Sequence, residues 1–391
     1  MSPRPTPQLR LAFLALLACS PLAAVAIPDA DSLDAKLAEA MQATGAKGIA
    51  IAVIDDGRVV HVRSRGARNA AGDPLQSDTI MYGASLTKSA FAYMVMQLVD
   101  EGVIDLDTSI AQYLPRPLPE YDQEEERYAP WHHLAGDERW RAITPRILLT
   151  HSAGFANFAF VESDGRLRFH FEPGARYAYS GEGMILLQFV LERGLGLDVG
   201  QEMQRRVFKR LGMRDTDMMW RPAYAANLAD GFREDGSIEP HDERSKVRAA
   251  GSMDTTIDDV ALLAAGLIRG EALSAARAEE MFTAQLTITT ATQFPTLQPE
   301  LPAAQRGSSI AAGLGVVVFE GPQGPGFYKG GHNDSTANTL VCLQRGRRCV
   351  VILSNDVRAE AAFPQLVKHA LGQTGVPWRW EYGDMKFWQH D

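Results

Sequence analysis

The hydrophobic pattern is most regular between residues 82 and 102. Apolar side chains recur every three or four positions from Leu86 through Phe91 and Leu98, which is the spacing of a helix with a wide buried face. Gly102 follows as a natural helix end. The pattern therefore predicts a mostly buried helix in this segment.

Strand patterns lie at both ends of the chain and helical patterns lie between them. Strands are predicted over 48–54, 58–63, 312–320, 339–343 and 349–354, where short β-branched or alternating runs are bounded by turn residues. Further helices are predicted over 31–44, 198–211, 257–268 and 360–371, and one more after Gly181. Residues 103–146 read as irregular.

This order of elements predicts an α/β (α+β) fold. An antiparallel sheet is built from both chain ends and flanked by helices, with a mainly helical domain inserted between them. The expected sheet subdomain comprises 27–80 and 310–391, and the helical subdomain comprises 81–309. Residues 27–391 form the mature protein in this division, after a signal peptide at 1–26.

Composition and charge narrow the possible partners. The 391 residues are 46% hydrophobic and carry a formal net charge of −9, which disfavours nucleic acid and anionic membrane surfaces. Arg4 and Arg10 precede an apolar run that ends in Ala24-Val25-Ala26, the pattern of an export signal. A periplasmic or secreted location follows. Lipidation of Cys19 is the alternative and would add a membrane anchor.

The other two cysteines flank a hairpin-like segment. A two-residue turn at Arg345-Gly346 would place Cys342 opposite Cys349 as a hydrogen-bonded pair. The two cysteines could form a disulfide or remain as two buried free thiols, and export favours the disulfide. The chain has no C-x-x-C and no H-E-x-x-H, so no metal site and no cofactor are predicted.

Candidate chemistry begins at the start of the buried helix. Ser85-Leu86-Thr87-Lys88 places a serine and a lysine on one helix face. A serine hydroxyl is a weak nucleophile, and a neutral amine beside it can take its proton. Burial and the helix N-terminus both favour the neutral amine. An S-x-x-K also arises often by chance, so the motif needs partners elsewhere in the chain.

Two such partners follow in order, Tyr179-Ser180-Gly181 and Lys329-Gly330-Gly331. With the S-x-x-K, this series resembles the penicillin-recognising serine hydrolases: class C β-lactamases, D-alanyl-D-alanine carboxypeptidases and related esterases. The resemblance covers roughly residues 33 to 372 and includes the flanking stretches 148–154, 211–213, 250–253 and 351–355. It implies a β-lactamase/transpeptidase-like fold.

The resemblance also implies roles for the matching residues. Ser85 would form an acyl-enzyme, Lys88 would activate it, and Tyr179 would share the base role. Two nearby lysines are expected to lower the pKa of Tyr179. Lys329 would bind a substrate carboxylate or ester oxygen, and His332 is the alternative cation.

The small residues of the third motif have an implied role too. Gly330 and Gly331 would let the substrate approach their strand. The Ser85 N–H and an N–H from the strand after Gly331 would form the oxyanion hole.

Two departures from the family pattern affect the substrate. Gly181 stands where class C enzymes have an asparagine whose amide holds an acylamido group. The third motif lacks the hydroxyl that contacts a substrate carboxylate. The sequence therefore predicts an exported serine hydrolase for a small-molecule ester, amide or β-lactam, with esterase-like activity favoured. The alternative is a catalytically idle protein that binds a ligand or cell-wall fragment. The oligomeric state is not determined by the sequence.

Overall fold

The computed structural model describes residues 26–122, 125–307 and 309–389. The predicted export signal and Cys19 fall almost wholly in the segment 1–25, outside the described residues. Within those described ranges, no helix has both the length and the apolar character needed to cross a bilayer.

The helices confirm the predicted helical middle of the chain. They are α1 (Ala30–Thr44), α2 (Leu86–Asp100), α3 (Pro145–Leu149), α4 (Gly181–Phe189), α5 (Val199–Met203), α6 (Lys209–Leu211), α7 (Ile257–Arg269), α8 (Ala275–Met281), α9 (Phe363–Leu371) and α10 (Trp378–Tyr382). A π-helical turn, Gln204–Phe208, joins α5 to α6, so the helix predicted over 198–211 is continuous. Residues 360–362, predicted as the start of the last helix, belong instead to a 3-10 turn over Val357–Ala362.

The strands form one large sheet and two small ones. They are β1 (Gly48–Asp55), β2 (Arg58–Gly66), β3 (Met81–Tyr82), β4 (Gly231–Phe232), β5 (Ile238–Glu239), β6 (Asp254–Thr255), β7 (Leu286–Thr287), β8 (Ile310–Ala312), β9 (Val317–Gly321), β10 (Gly324–His332), β11 (Ala337–Leu343) and β12 (Arg348–Ser354). The large sheet has the order β2-β1-β12-β11-β10-β9-β8-β7.

The large sheet is antiparallel throughout and joins the two ends of the chain through β1 and β12. This confirms the predicted fold class. The single strand predicted over 312–320 is wrong, because a turn at Gly313 to Val316 divides it into β8 and β9. The edge strand β7 comes from within the segment predicted as helical. The subdomain boundaries themselves stay a prediction.

Both faces of the sheet are buried. Along β1, Ala50, Ala52 and Ile54 belong to the core cluster that contains α2 and α7. The alternate residues, such as Ile49 and Ile51, belong to a second cluster with α1 and α9. Because successive strand residues face opposite sides, burial on both sides requires the unbroken apolar run that the sequence shows.

Helix α2 runs through the middle of the first core cluster. Every residue from Leu86 to Val99 is buried, which confirms the predicted helix. Gly102 has φ 72° just beyond the helix end, the left-handed conformation that glycine adopts without steric cost. The burial of α2 on all sides fixes the position of Ser85 at its N-terminus.

The hairpin between β11 and β12 carries a disulfide between Cys342 and Cys349. The two cysteines are paired in register, as predicted. The prediction that the two cysteines form a hydrogen-bonded pair is wrong. Their Cα atoms are 4.1 Å apart, which is near the shorter spacing of non-hydrogen-bonded pairs. The strands end at Leu343 and Arg348, so the loop between them has four residues rather than two.

We predict that the peptides containing Cys342 and Cys349 stay unmodified when the denatured protein is alkylated without reductant. After reduction both should be alkylated. Replacing both cysteines by alanine should lower the free energy of unfolding by at most roughly 2–3 kcal/mol, because the closed loop is short. Peptide mass spectrometry and denaturant unfolding measure the two effects. Alkylation before reduction would contradict the bond.

Candidate active site

Ser85 lines a cleft of about 760 Å³. The turn that precedes it includes Ala84 with φ 44°, and Ser85 is the N-cap residue of α2. Its N–H has no backbone acceptor among the residues that the structure describes. The backbone therefore presents both the hydroxyl and a free N–H to the cleft.

Lys88 lies one helical turn after Ser85, and its side chain is almost fully buried. Its Nζ lies 2.9 Å from Ser85 Oγ and donates to the carbonyl of Ala250. Burial holds the pKa of Lys88 well below its usual range, and the charges of Lys329 and Arg248 lower it further. A neutral amine next to the serine is the form that can accept a proton.

Tyr179 completes the contacts of the serine hydroxyl. Its phenol donates to Ser85 Oγ over 2.8 Å, and its ring packs on the His151 ring with centroids 4.5 Å apart. The expectation of a lowered pKa is wrong, because burial raises the pKa of Tyr179 despite its hydrogen bond to Ser85. Tyr179 is therefore a protonated donor in this site, and the neutral amine of Lys88 is the group that can accept a proton.

His151 contacts the backbone next to Tyr179. Its Nδ1 lies 3.1 Å from the carbonyl oxygen of Ser180 and 3.2 Å from the Ser180 backbone nitrogen. Burial keeps the pKa of His151 well below its usual range, and the charges of Lys329 and Lys88 add to the effect. A neutral imidazole thus supports the irregular segment that carries Tyr179.

Strand β10 brings Lys329 to the same place. Nζ of Lys329 and Nζ of Lys88 each lie 5.0 Å from the centroid of the Tyr179 ring. Lys329 Nζ donates to the carbonyl of Gly330 over 2.7 Å. Burial lowers the pKa of Lys329 to about 8, although the charge of Glu381 opposes that shift. The structure thus groups Ser85, Lys88, Tyr179 and Lys329.

The two glycines of the third motif have different neighbours. A Cβ atom at position 331 would lie 3.0 Å from the backbone nitrogen of Ser85, so Gly331 keeps that N–H open to the cleft. A Cβ atom at position 330 would instead overlap a carboxylate oxygen of Glu381. Gly331 therefore leaves space beside Ser85, whereas Glu381 takes the space beside Gly330. The approach of substrate to this strand stays a prediction.

His332 follows on the same strand and faces a carboxylate. Its Nδ1 lies 2.9 Å from Oε1 of Glu360. Burial acts to lower the pKa of His332, but the hydrogen bond and charge of Glu360 outweigh it and raise that pKa above its usual value. His332 lines the cleft as a second cation candidate, as the sequence allowed.

The second motif has no room for a side chain at Gly181. A Cβ atom at Gly181 would overlap the ring of Phe158, and the Gly181 N–H donates to Oδ1 of Asn157 over 2.9 Å. Glu182 points away from the cleft, since its Oε1 accepts from the N–H of Ala159. Burial raises the pKa of Glu182 to about 7.

Several cleft residues were not found from the sequence. Asn157, Phe158, Arg248, Phe294 and Glu381 line the cleft together with Ser85. None of them stands at a fixed spacing from a recognised motif, so no local pattern signals them. In the described parts of the chain, no three His, Cys, Asp or Glu side chains are grouped so that they could hold a metal ion.

Comparison with known proteins agrees with this geometry. The chain is 29% identical over 196 residues to the esterase EstB of Burkholderia gladioli, which covers 47% of this chain and 50% of EstB. It is also 29% identical over 209 residues to the monacolin J acid methylbutanoyltransferase of Aspergillus terreus, covering 44% of this chain and 48% of that protein. The chain thus spans about half the length of these curated relatives.

A solved structure matches over a larger part of the chain. The D-alanine carboxypeptidase AmpC from Burkholderia cenocepacia superposes with a TM-score of 0.68 at 17% identity, covering 88% of this chain and 98% of that chain. At that identity the match shows the fold alone. The Beta-lactamase family model matches residues 33–371. The match spans most of the chain and includes Ser85, Lys88, Tyr179 and Lys329, so the chain belongs to the β-lactamase family.

Proposed function

We propose that this chain is an exported serine hydrolase that forms an acyl-enzyme at Ser85 and prefers esters to β-lactams and peptides. The observation that carries the proposal is the double contact of the Ser85 hydroxyl. Its Oγ lies 2.9 Å from Lys88 Nζ and 2.8 Å from the Tyr179 hydroxyl. A serine held between a neutral amine and a protonated phenol is equipped for acyl transfer.

The acylation step follows from the protonation states. As Ser85 Oγ attacks the ester carbonyl, its proton passes to the Lys88 amine, and negative charge develops on the carbonyl oxygen. The Ser85 N–H, left open by Gly331, can donate to that oxygen. Tyr179 can donate its proton to the departing alcohol. Water then attacks the acyl-enzyme and the same groups act in reverse, releasing the acid.

The preference for esters rests on the second motif. The amide expected to hold an acylamido group is absent at Gly181, and the Phe158 ring fills the space a side chain would need there. Asn157 does not replace that amide fully, since its Oδ1 already accepts from the Gly181 N–H. The names of the two curated relatives, an esterase and an acyltransferase, support acyl transfer from esters.

Export is the remaining part of the proposal. Residues 1–26 have the pattern of a signal peptide, and lipidation at Cys19 is the alternative. The disulfide between Cys342 and Cys349 supports an oxidising compartment. Both observations favour a periplasmic or secreted location for the enzyme.

The competing function is a weakly active or inactive protein that binds a ligand in the same cleft. Such a protein has no need for Ser85, Lys88, Tyr179 and Lys329 all to be present and in contact range. Their grouping in one cleft therefore favours the enzyme.

We predict that a fluorophosphonate probe modifies Ser85, because it is the hydroxyl that the base contacts. Mass spectrometry should locate the adduct on the Ser85 peptide. Ser85→Ala should abolish labelling with little change in melting temperature. A fluorescent penicillin tested in parallel should react more slowly than a simple ester. An adduct on Ser152 or Ser180 would refute the assignment, and no adduct with retained ligand binding would favour the binding protein.

We predict different roles for the two groups that contact Ser85. Lys88→Met should lower kcat for 4-nitrophenyl acetate by roughly 10²–10⁴, the range for loss of proton transfer. Tyr179→Phe should have its larger effect on esters with poor leaving groups, because those need the proton that the phenol donates. Steady-state kinetics with a good and a poor leaving group measure this. Equal losses on both esters would contradict the role of Tyr179.

We predict that kcat/KM for a neutral ester rises with pH on the acidic side and falls above about pH 8. The rise reflects deprotonation of Lys88, whose pKa burial depresses. The fall reflects loss of the Lys329 charge, since burial lowers the pKa of Lys329 to about 8. In Lys329→Met the normalised profile should lose its alkaline fall. If kcat/KM still falls at alkaline pH in this variant, the fall belongs to another titrating group.

A further inference from the structure

The space beside Gly330, the second residue of the third motif, is occupied by another side chain. A Cβ atom at position 330 would overlap Oε1 of Glu381 and lie 3.8 Å from the Tyr382 hydroxyl. Glu381 belongs to α10, which lies beyond residue 371, where the family match ends. A segment outside the family match therefore supplies a carboxylate at the point where the motif has lost its hydroxyl.

The carboxylate of Glu381 is held firmly in this position. Its Oε2 accepts from Nε2 of Gln293 over 2.8 Å and from the hydroxyl of Tyr328 over 3.1 Å. Helix α10 is fixed to the same loop, since the indole of Trp380 donates to Thr290 over 3.1 Å. These contacts direct the other oxygen of Glu381 towards Gly330.

Glu381 lines the catalytic cleft beside Lys329 and His332. Burial raises the pKa of Glu381 above its usual value, although the positive charges of Lys329 and His332 oppose that shift. A carboxylate beside Lys329 offsets the charge that would attract an anionic substrate. A substrate carboxylate brought to this wall would also meet a like charge, which costs affinity.

We propose that Glu381 is a specificity-determining residue that makes this wall of the cleft select neutral esters over esters carrying a carboxylate. This inference rests on the proposed function of the cleft and names its substrate class. Glu381 acts on substrate choice through its charge and through the space it takes at Gly330, and it has no part in proton transfer at Ser85.

The effect of the Glu381 charge on substrate choice is tested with Glu381→Gln, which removes the charge and keeps the side-chain volume. Two matched ester pairs are compared: 3-acetoxybenzoate with 3-acetoxybenzamide, and mono-4-nitrophenyl glutarate with 4-nitrophenyl pentanoate. These place a carboxylate on the leaving group or on the acyl group. In at least one pair, Glu381→Gln should raise the anionic-to-neutral ratio of kcat/KM about tenfold or more, as expected for removal of a nearby like charge.

Glu239→Gln is the matched control for the charge test. Glu239 also lines the cleft, but it pairs with Arg233 over 3.5 Å and has no contact with Gly330. Its replacement should leave both ratios unchanged. Unchanged ratios in Glu381→Gln, or equal changes in the two variants, would overturn the inference.

The steric conflict between a side chain at position 330 and Glu381 is tested by a double-mutant cycle that measures melting temperatures. Gly330→Ser should destabilise the protein when Glu381 is present and should have little effect in Glu381→Ala, because the overlap is then removed. Gly266→Ser, whose Cβ would press on Leu211, is the control and should cost the same in both backgrounds. An equal cost of Gly330→Ser in both backgrounds would overturn the steric part.

Failure of the proposed function is distinguishable from failure of this inference. If the wild type hydrolyses none of the four esters, the proposed function fails. Calorimetric binding of 3-acetoxybenzoate and 3-acetoxybenzamide to Ser85→Ala, with and without Glu381→Gln, then decides the inference. A gain of about tenfold for the acid alone supports it, and no selective gain overturns it.

Discussion

Burial of the Lys88 amine is the constraint on which the site depends. A lysine exposed to water stays protonated at neutral pH and cannot accept a proton from serine. Here α2 is enclosed on all sides, and Lys88 is 1% exposed. That enclosure requires the sheet on one side of α2 and the helical middle of the chain on the other. The strands at both ends of the chain and the helices between them are therefore both needed to keep Lys88 buried and its amine neutral.

The site also brings two lysines close to one aromatic ring. Lys88 and Lys329 lie over the Tyr179 ring at equal distances, and each cation disfavours charge on the other. Burial and the nearby charges of Lys329 and Arg248 all disfavour the charged form of Lys88, so it gives up the charge. Lys329 has Glu381 nearby, which opposes the loss of its proton. The two lysines thus take different roles because their surroundings differ.

The sequence predicted what depends on local pattern and motif order. The α2 helix, the pairing of Cys342 with Cys349 and the grouping around Ser85 follow from periodicity, register and the three motifs. It did not predict β10 as a full strand, because glycine-rich segments carry little strand signal. It also gave the wrong sign for the pKa shift of Tyr179, since nearby cations were weighed without the burial that outweighs them.

Residues contributed by distant segments could not be predicted in this way. Glu381 reaches Gly330 because α10 is held in place by hydrogen bonds from Gln293 to Glu381 and to the Trp380 carbonyl, and from Trp380 to Thr290. In the sequence, this stretch is distinguished only by its aromatic residues, and no motif marks Glu381. The signal in the sequence is Gly330, where the third motif lacks the hydroxyl of the family pattern that it resembles, and the Glu381 carboxylate fills the space that a side chain there would need. A departure from a motif is therefore evidence about its neighbour as well as about its own position.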